Sequence, residues 1–236
     1  SGAINMWYDR DIDALMTRTR NRPLPAGRMA PGAALGFGIV LAVGSVSVMA
    51  LAVNPLAGAL LALTIAFYVF VYTIWLKRRT PQNIVIGGAA GAFPPMIGWA
   101  AATGEVTLGS IALFALIFIW TPPHFWALAL YREGDYARAG VPMLPVVAGA
   151  RETKKQILLY TVILVPVSLA PWALDVVGWT YCTIAVAFGA GFLALAVAIW
   201  YDDTDRWARR TFLFSIIYLF VLFAAMIADS IGLALA

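Results

Sequence analysis

Seven long apolar runs constrain this chain more than any other feature. They fall at about 32–53, 55–76, 83–102, 108–130, 157–174, 178–200 and 211–231. Most are close to the roughly 20 residues that an α-helix needs to cross the hydrocarbon core of a bilayer. The chain is 62% hydrophobic and only 12% charged, against about 25% charged in an ordinary soluble domain, so lipid is the solvent for most of it. A β-barrel is excluded, because its strands are about half as long and alternate polar with apolar residues, whereas these runs are continuous. The prediction is an all-α, polytopic transmembrane helix bundle with seven spans. Only short polar or Gly/Pro stretches separate the spans, which predicts a single domain over residues 1–236.

The basic residues test that count. Arg10, Arg18, Arg20, Arg22 and Arg28 precede the first run, and Lys77, Arg78 and Arg79 follow the second. Arg132, Arg138, Arg151, Lys154 and Lys155 follow the fourth, and Arg206, Arg209 and Arg210 follow the sixth. With seven spans, all 16 Lys and Arg fall on one side of the membrane. The other side carries only Glu105, Asp175 and Asp229. By the positive-inside rule the basic side is the cytoplasmic face of a bacterial cytoplasmic (inner) membrane, or the matrix face of a mitochondrial inner membrane. Topology and contact with lipid headgroups explain scattered bases such as Lys154, and no nucleic-acid partner is expected.

The sequence opens at Ser1 on what reads as the polar end of a longer element, which predicts that one to two helices precede it. The one cysteine, Cys182, lies inside an apolar run. That leaves no disulfide framework or thiolate metal site, and its expected role is packing.

Chemistry concentrates in the loops on the basic side. Asn5, Asp9 and Asp13 recur at i, i+4 and i+8, which on a helix places them along one side, with Asp11 pointing elsewhere. Carboxylates so aligned repel unless a cation lies between them. A pair without His or Cys partners suits Mg2+, which takes one or two carboxylates together with substrate phosphates and water. Arg18, Arg20 and Arg22 follow and suit bidentate phosphate contact. The bland alternative is a solvated helix whose acids and bases neutralise one another, but that does not explain the aligned spacing.

A second loop, from Tyr131 to Pro145, contains Asp135 and has a similar order of acid, base and Pro-rich turn. It predicts a weak internal repeat around a central cavity, each half supplying part of one site. A third loop, Trp75-Leu-Lys-Arg-Arg-Thr-Pro-Gln-Asn83, adds Lys77 and Arg78 as candidate phosphate ligands beyond what a topology signal requires.

The one histidine, His124, lies in Thr121-Pro-Pro-His-Phe-Trp within the fourth run, where the two prolines remove amide donors and predict a kink. An ionisable residue at that depth is a functional candidate by default. The open readings are a structural imidazole bonded to a neighbouring helix, a haem-iron ligand, or a residue that handles protons or steadies a cation.

Taken together, four blocks resemble the UbiA-type intramembrane prenyltransferases, and within them the branch that farnesylates haem. They are Asn5-x3-Asp9-x3-Asp13 with the Arg-rich stretch after it, the block from Trp75 through Asn83, Thr121-Pro-Pro-His-Phe-Trp, and Asp135-Tyr-x-x-Ala-Gly-Val-Pro-Met-Leu-Pro. The first block marks only the superfamily; the other three point to the haem-modifying branch. Tyr131 stands where many relatives carry the first acid of a second Asp-x-x-x-Asp motif.

The resemblance implies nine transmembrane helices in an intact protein, Mg2+ as cofactor, and farnesyl diphosphate and haem B as substrates within the lipid bilayer. Partners would extend to terminal oxidase assembly factors or haem A synthase. On this reading Asn5, Asp9, Asp13 and Asp135 hold metal and diphosphate, and Arg18, Arg22, Lys77 and Arg78 hold diphosphate. Asp9, Asp13 and His124 are the catalytic candidates, with His124 on the haem side. A UbiA-type enzyme with a quinone-precursor or other aromatic acceptor is the nearest alternative. A secondary transporter would instead place acids near mid-membrane, and a haem chaperone would not need the acidic pair.

Overall fold

The computed structural model describes residues 1–201 and 204–235, and every regular element among them is helical. Two short helices, α1 (Gly2–Tyr8) and α2 (Arg10–Leu15), come first, followed by α3 (Pro31–Val48), α4 (Pro55–Ala66), α5 (Asn83–Thr103) and α6 (Leu108–Tyr131). The short α7 (Glu133–Arg138) leads to α8 (Leu144–Ala173), α9 (Trp179–Trp200) and α10 (Asp205–Leu235). Both α3 and α4 widen at their C-terminal ends into π-helical turns, Met49–Val53 and Phe67–Leu76.

Seven of these helical stretches are long and apolar enough to span a bilayer, as expected. The chain is an integral membrane protein. Large apolar side chains such as Leu51, Val40 and Phe220 are exposed, which a lipid solvent permits.

Two spans begin earlier than hydropathy predicts. The fifth starts at Leu144 rather than near 157, and the seventh at Asp205 rather than near 211. In both, helical hydrogen bonding continues into basic turns, Arg151–Lys155 and Arg206–Arg210, which a search for apolar residues leaves out. Within α8, Gly149 at φ 81°, ψ 168° breaks the helix, a conformation that glycine adopts at little cost. In α6 the helix continues through Pro122 and Pro123.

The residues form two compact units. The first comprises Ser1–Val106 and Arg132–Val147, the second Thr107–Tyr131 and Ala148–Ala236. In the first, α1 lies against α3 and against the π-helical segment Phe67–Leu76. A β-carbon on Gly87 would collide with the Tyr72 ring, so a glycine is what lets α5 approach that segment, as small residues do between membrane helices. Asn54 joins two helix ends: its side-chain oxygen accepts from Ala57 N at 2.8 Å and its amide donates to Ala100 O at 2.8 Å. In the second unit α10 packs on both α6 and α9, with Phe192 and Tyr218 fully buried edge to face at 5.2 Å. Cys182 is buried among these helices.

Candidate active site

In the first unit, α1 and α2 form nearly one helix. Asp9, at φ −92°, ψ 11°, interrupts it, yet Asp9 N donates to Asn5 O and Asp13 N donates to Asp9 O, both at 2.8 Å. The i, i+4 row therefore survives the break. Asn5, Asp9 and Asp13 are all buried, Asp9 completely. Buried carboxylates need charged or hydrogen-bonding partners, and each has them.

Asp9 is the centre of the network. Its Oδ2 accepts from Asn5 Nδ2 at 2.7 Å and pairs with Lys77 Nζ, while its Oδ1 accepts from Arg78 Nη2 at 3.2 Å. Asn5 Nδ2 also donates to Thr73 Oγ1 at 3.1 Å. Arg78 then forks onto Asp11 with bonds of 2.8 and 2.7 Å and lies over the Tyr8 ring. The hydrogen bonds from Arg78 hold the Asp11 carboxyl down at about 2, and the same pairing, Asp11 first, raises the guanidinium above its ordinary value.

The π-helical winding contributes to this placement. Thr73 Oγ1 donates to Tyr68 O, and Lys77 N donates to Tyr72 O, each five residues back rather than four. Wide turns of this kind often mark functional positions. Here the segment carries Thr73 and delivers Lys77 to the buried acid.

Asp13 pairs with Arg22 at 2.8 Å, and Thr19 Oγ1 donates to the Asp13 carbonyl. Asp135, on α7, is also buried. It pairs with Arg138, accepts from Thr17 Oγ1 at 3.0 Å, and has Arg132 at 3.9 Å. Thr17 thereby ties the turn after α2 to the loop between α6 and α8.

His124 belongs to the second unit. Its ring is stacked between Trp120, at 4.3 Å, and Phe212, at 4.8 Å between centroids. Its Nδ1 lies 2.7 Å from Ser215 Oγ. An apolar groove of about 710 Å³ runs along α6 and α10, and Trp120, His124, Phe212, Ile216 and Phe220 are among its lining.

The chain matches the description "UbiA prenyltransferase family" over residues 1–227. It belongs to that family. It is 59% identical over 233 residues to a protein of Parvibaculum lavamentivorans named Protoheme IX farnesyltransferase, covering 97% of this chain and 73% of the relative. A protein of the same name from Azorhizobium caulinodans is 59% identical over 235 residues, covering 98% of this chain and 76% of the relative. A solved structure from work on digeranylgeranylglyceryl phosphate synthase in membranes aligns with a TM-score of 0.79 at 21% identity, over 98% of this chain and 80% of that one. That likeness shows a shared fold.

Within this UbiA-family fold, the residues singled out by sequence sort into groups. Asn5, Asp9, Lys77 and Arg78 meet directly. Asp13 meets Arg22, and Asp135 meets Thr17 and the arginines of its own loop. Arg18 is exposed and has no hydrogen bond or ion pair among the described residues. Asp11, expected to point elsewhere, is more than half exposed but shares Arg78 with Asp9. Sequence reasoning passed over Thr17, Thr73 and Ser215. Thr73 had a weak signal, being one of two threonines in an apolar run, and it is fully buried in the fold.

The acids and Asn5 offer only oxygen atoms as metal donors, the carboxylates being paired with Lys77, Arg78, Arg22 and Arg138, and among the described residues no three His, Cys, Asp or Glu side chains converge as a metal cage. That donor set fits a cation that takes one or two carboxylates and completes its shell with phosphate and water. Arg78 Nε is buried without a hydrogen-bond partner among the described residues. It is a spare donor on the residue that pairs with Asp9.

Proposed function

We propose that this UbiA-family chain transfers the farnesyl group of farnesyl diphosphate to a vinyl group of haem B (protohaem IX), giving haem O for haem–copper terminal oxidases. The observation that carries the reading is the burial of Asp9 between Lys77 and Arg78, in a chain 59% identical to proteins named Protoheme IX farnesyltransferase.

Asn5, Asp9, Asp13 and Asp135 are the residues that would hold Mg2+ with the diphosphate. The cation, when bound, offsets the charge that gathers on the leaving group. Lys77, Arg78 and Arg22, now paired with carboxylates, turn to phosphate oxygens, and Arg18 and the spare Arg78 Nε add two more contacts. This exchange of partners keeps every charge compensated as the substrate enters. Cations fixed where negative charge develops favour the transition state over the bound substrate.

The allylic C–O bond breaks and its electron pair leaves with diphosphate. The vinyl π electrons then form the new bond to farnesyl C1. Water adds to the cation left beside the porphyrin and loses a proton to solvent, leaving a hydroxyl. The apolar spans shield the roughly 15-carbon chain and the allylic cation from premature capture by water. His124 serves on the porphyrin side.

The seven spans act as one catalytic domain. The alternation of basic loops supports a bacterial cytoplasmic membrane, with the acidic site at the cytoplasmic face. Terminal oxidase assembly factors or haem A synthase are the expected recipients of the product.

The test is direct. The purified protein, given haem B, farnesyl diphosphate and Mg2+, should form a farnesylated haem of the mass of haem O, and a chelator should abolish it. Prenylation of 4-hydroxybenzoate in preference to haem would overturn the acceptor.

A further inference from the structure

The environment of His124 fixes which of its nitrogens is free. Ser215 Oγ lies 2.6 Å from Phe212 O, and a carbonyl can only accept, so the hydroxyl proton is committed there. The Ser215 oxygen must then accept from His124, which places the imidazole proton on Nδ1 and the lone pair on Nε2. Ser215 is itself pinned, because its carbonyl accepts from Trp120 Nε1 at 2.8 Å.

Trp120 and Phe212 cover both faces of the imidazole, leaving only its edge for the groove. Nε2 makes no hydrogen bond among the described residues, although the residue is only 8% exposed. A buried imidazole with a fixed Nδ1 proton and an open Nε2 has the arrangement of a metal ligand.

The same face of α10 carries a cation. Arg209 precedes Phe212 and Ile216 at helical spacing and lies over the Tyr131 ring at 5.3 Å. It forms no ion pair with the described residues. Arg209 and Ser215 are six residues apart, about 9 Å along the helix at roughly 1.5 Å per residue. The groove thus offers an apolar, aromatic wall and an imidazole with an unbonded nitrogen, and Arg209 stands about one helical turn before Phe212 on α10.

We propose that this groove is the acceptor subsite and grips an iron porphyrin at two points: His124 Nε2 ligates the iron, held in that tautomer by Ser215, and Arg209 binds a propionate carboxylate. The proposal rests on the haem-acceptor reading above and deepens it. An acyl chain would also fill an apolar groove, but it uses neither the imidazole nor the guanidinium. Ser215 is a positioning residue, acting through His124.

Binding separates this inference from turnover. Ferric haem, and haem whose propionates are methyl esters, are titrated into the full chain in lipid nanodiscs and followed by the Soret band. The wild type should give an imidazole-ligated spectrum and bind haem about tenfold more tightly than the ester. Arg209→Gln should keep that spectrum and lose the discrimination, while Arg209→Lys retains part of it. His124→Ala should lose the imidazole signature. Ser215→Ala should shift the band and weaken binding, and Ser215→Thr should restore both.

Equal weakening of haem and ester by Arg209→Gln, or an unchanged spectrum for a folded His124→Ala, overturns the proposal. Tight, imidazole-ligated binding of haem that is never farnesylated would sink the reaction and leave the subsite standing. Farnesyl transfer with Arg209→Gln, His124→Ala and Ser215→Ala all binding like wild type would do the reverse.

Discussion

Asp9 and Asp11 share one arginine but differ in burial, and that difference sets up a quantitative test. The Asp9 side chain is wholly buried, with Lys77 and Arg78 about one-sixth and one-third exposed. Removing one partner of a fully buried ion pair costs about 3–5 kcal/mol. In the Asp9→Asn protein both cations regain some hydration, Arg78 keeps Asp11, and the amide oxygen still accepts one bond, so the loss should be nearer 2–3 kcal/mol. Asp11 is 61% exposed. Its pair with Arg78 is solvent-screened, and Asp11→Asn should cost less than about 1 kcal/mol.

For a chain of this size each kcal/mol moves the melting midpoint by roughly 2–4 °C. Thermal unfolding in a fixed detergent should therefore show a fall of roughly 5–10 °C for Asp9→Asn and under about 4 °C for Asp11→Asn. In 1 M salt, where the Debye length is about 3 Å, the Asp11 effect should vanish and the Asp9 effect persist. Equal losses for the two variants, or an Asp9 loss that salt removes, would refute the claim that burial makes Asp9 the keystone of this network.

Asp13→Asn should lower farnesyl transfer by about 10²–10³-fold, the range seen when one transition-state electrostatic contact is lost, with the protein still folded in the membrane; near-normal haem O formation would count against its place at the diphosphate. The depressed Asp11 carboxyl contributes stability above its unfolded value near 4, lost as pH falls from there through about 2. Asp11→Asn should therefore lower the midpoint slightly at neutral pH and flatten a small part of the acid melting curve, the difference from wild type closing as pH falls through about 2. Gly87→Ala drives a methyl into the Tyr72 ring and should lower stability by about 1–3 kcal/mol, with recovery in the Gly87→Ala, Tyr72→Leu double variant. Asp229 accepts from Gly178 N and Tyr181 N at the start of α9; Asp229→Ala should cost about 1 kcal/mol as a lost cap, read as a lower midpoint with unchanged turnover.

The spans were legible because lipid imposes one rule on every backbone amide, and residue type alone reveals which stretches obey it. Their polar extensions were not, because Arg151–Lys155 and Arg206–Arg210 are helical through continuity with the apolar turns that follow. Asn5, Asp9 and Asp13 could be placed on one side from spacing alone, and Lys77 and Arg78 were candidates because their loop carries more polar residues than a topology signal requires. Nothing in the composition of Phe67–Leu76 announces π winding, since its aromatic and β-branched residues suit an α-helix packed in lipid equally well. Thr73 and the delivery of Lys77 to Asp9 depend on that winding, in a segment that lies against α1.

Ser215 escaped for a different reason. A serine in a membrane helix satisfies itself on a carbonyl three or four residues back, so its presence carries no functional information until a second polar atom is found against it. Only the stacking of His124 between Trp120 and Phe212 brings that atom to the hydroxyl. The two chemical centres of this chain therefore differ in how sequence encodes them. The Asp9 centre is written as charge, which has to be spaced along one helix and answered by opposite charge nearby. The His124 centre is written mostly in aromatic and hydroxyl residues that any membrane helix contains, so its meaning lies in which of them touch. Variants that keep composition but alter contact, such as Ser215→Thr against Ser215→Ala, are consequently the informative ones on the α6–α10 face, whereas charge reversal or neutralisation is informative around Asp9.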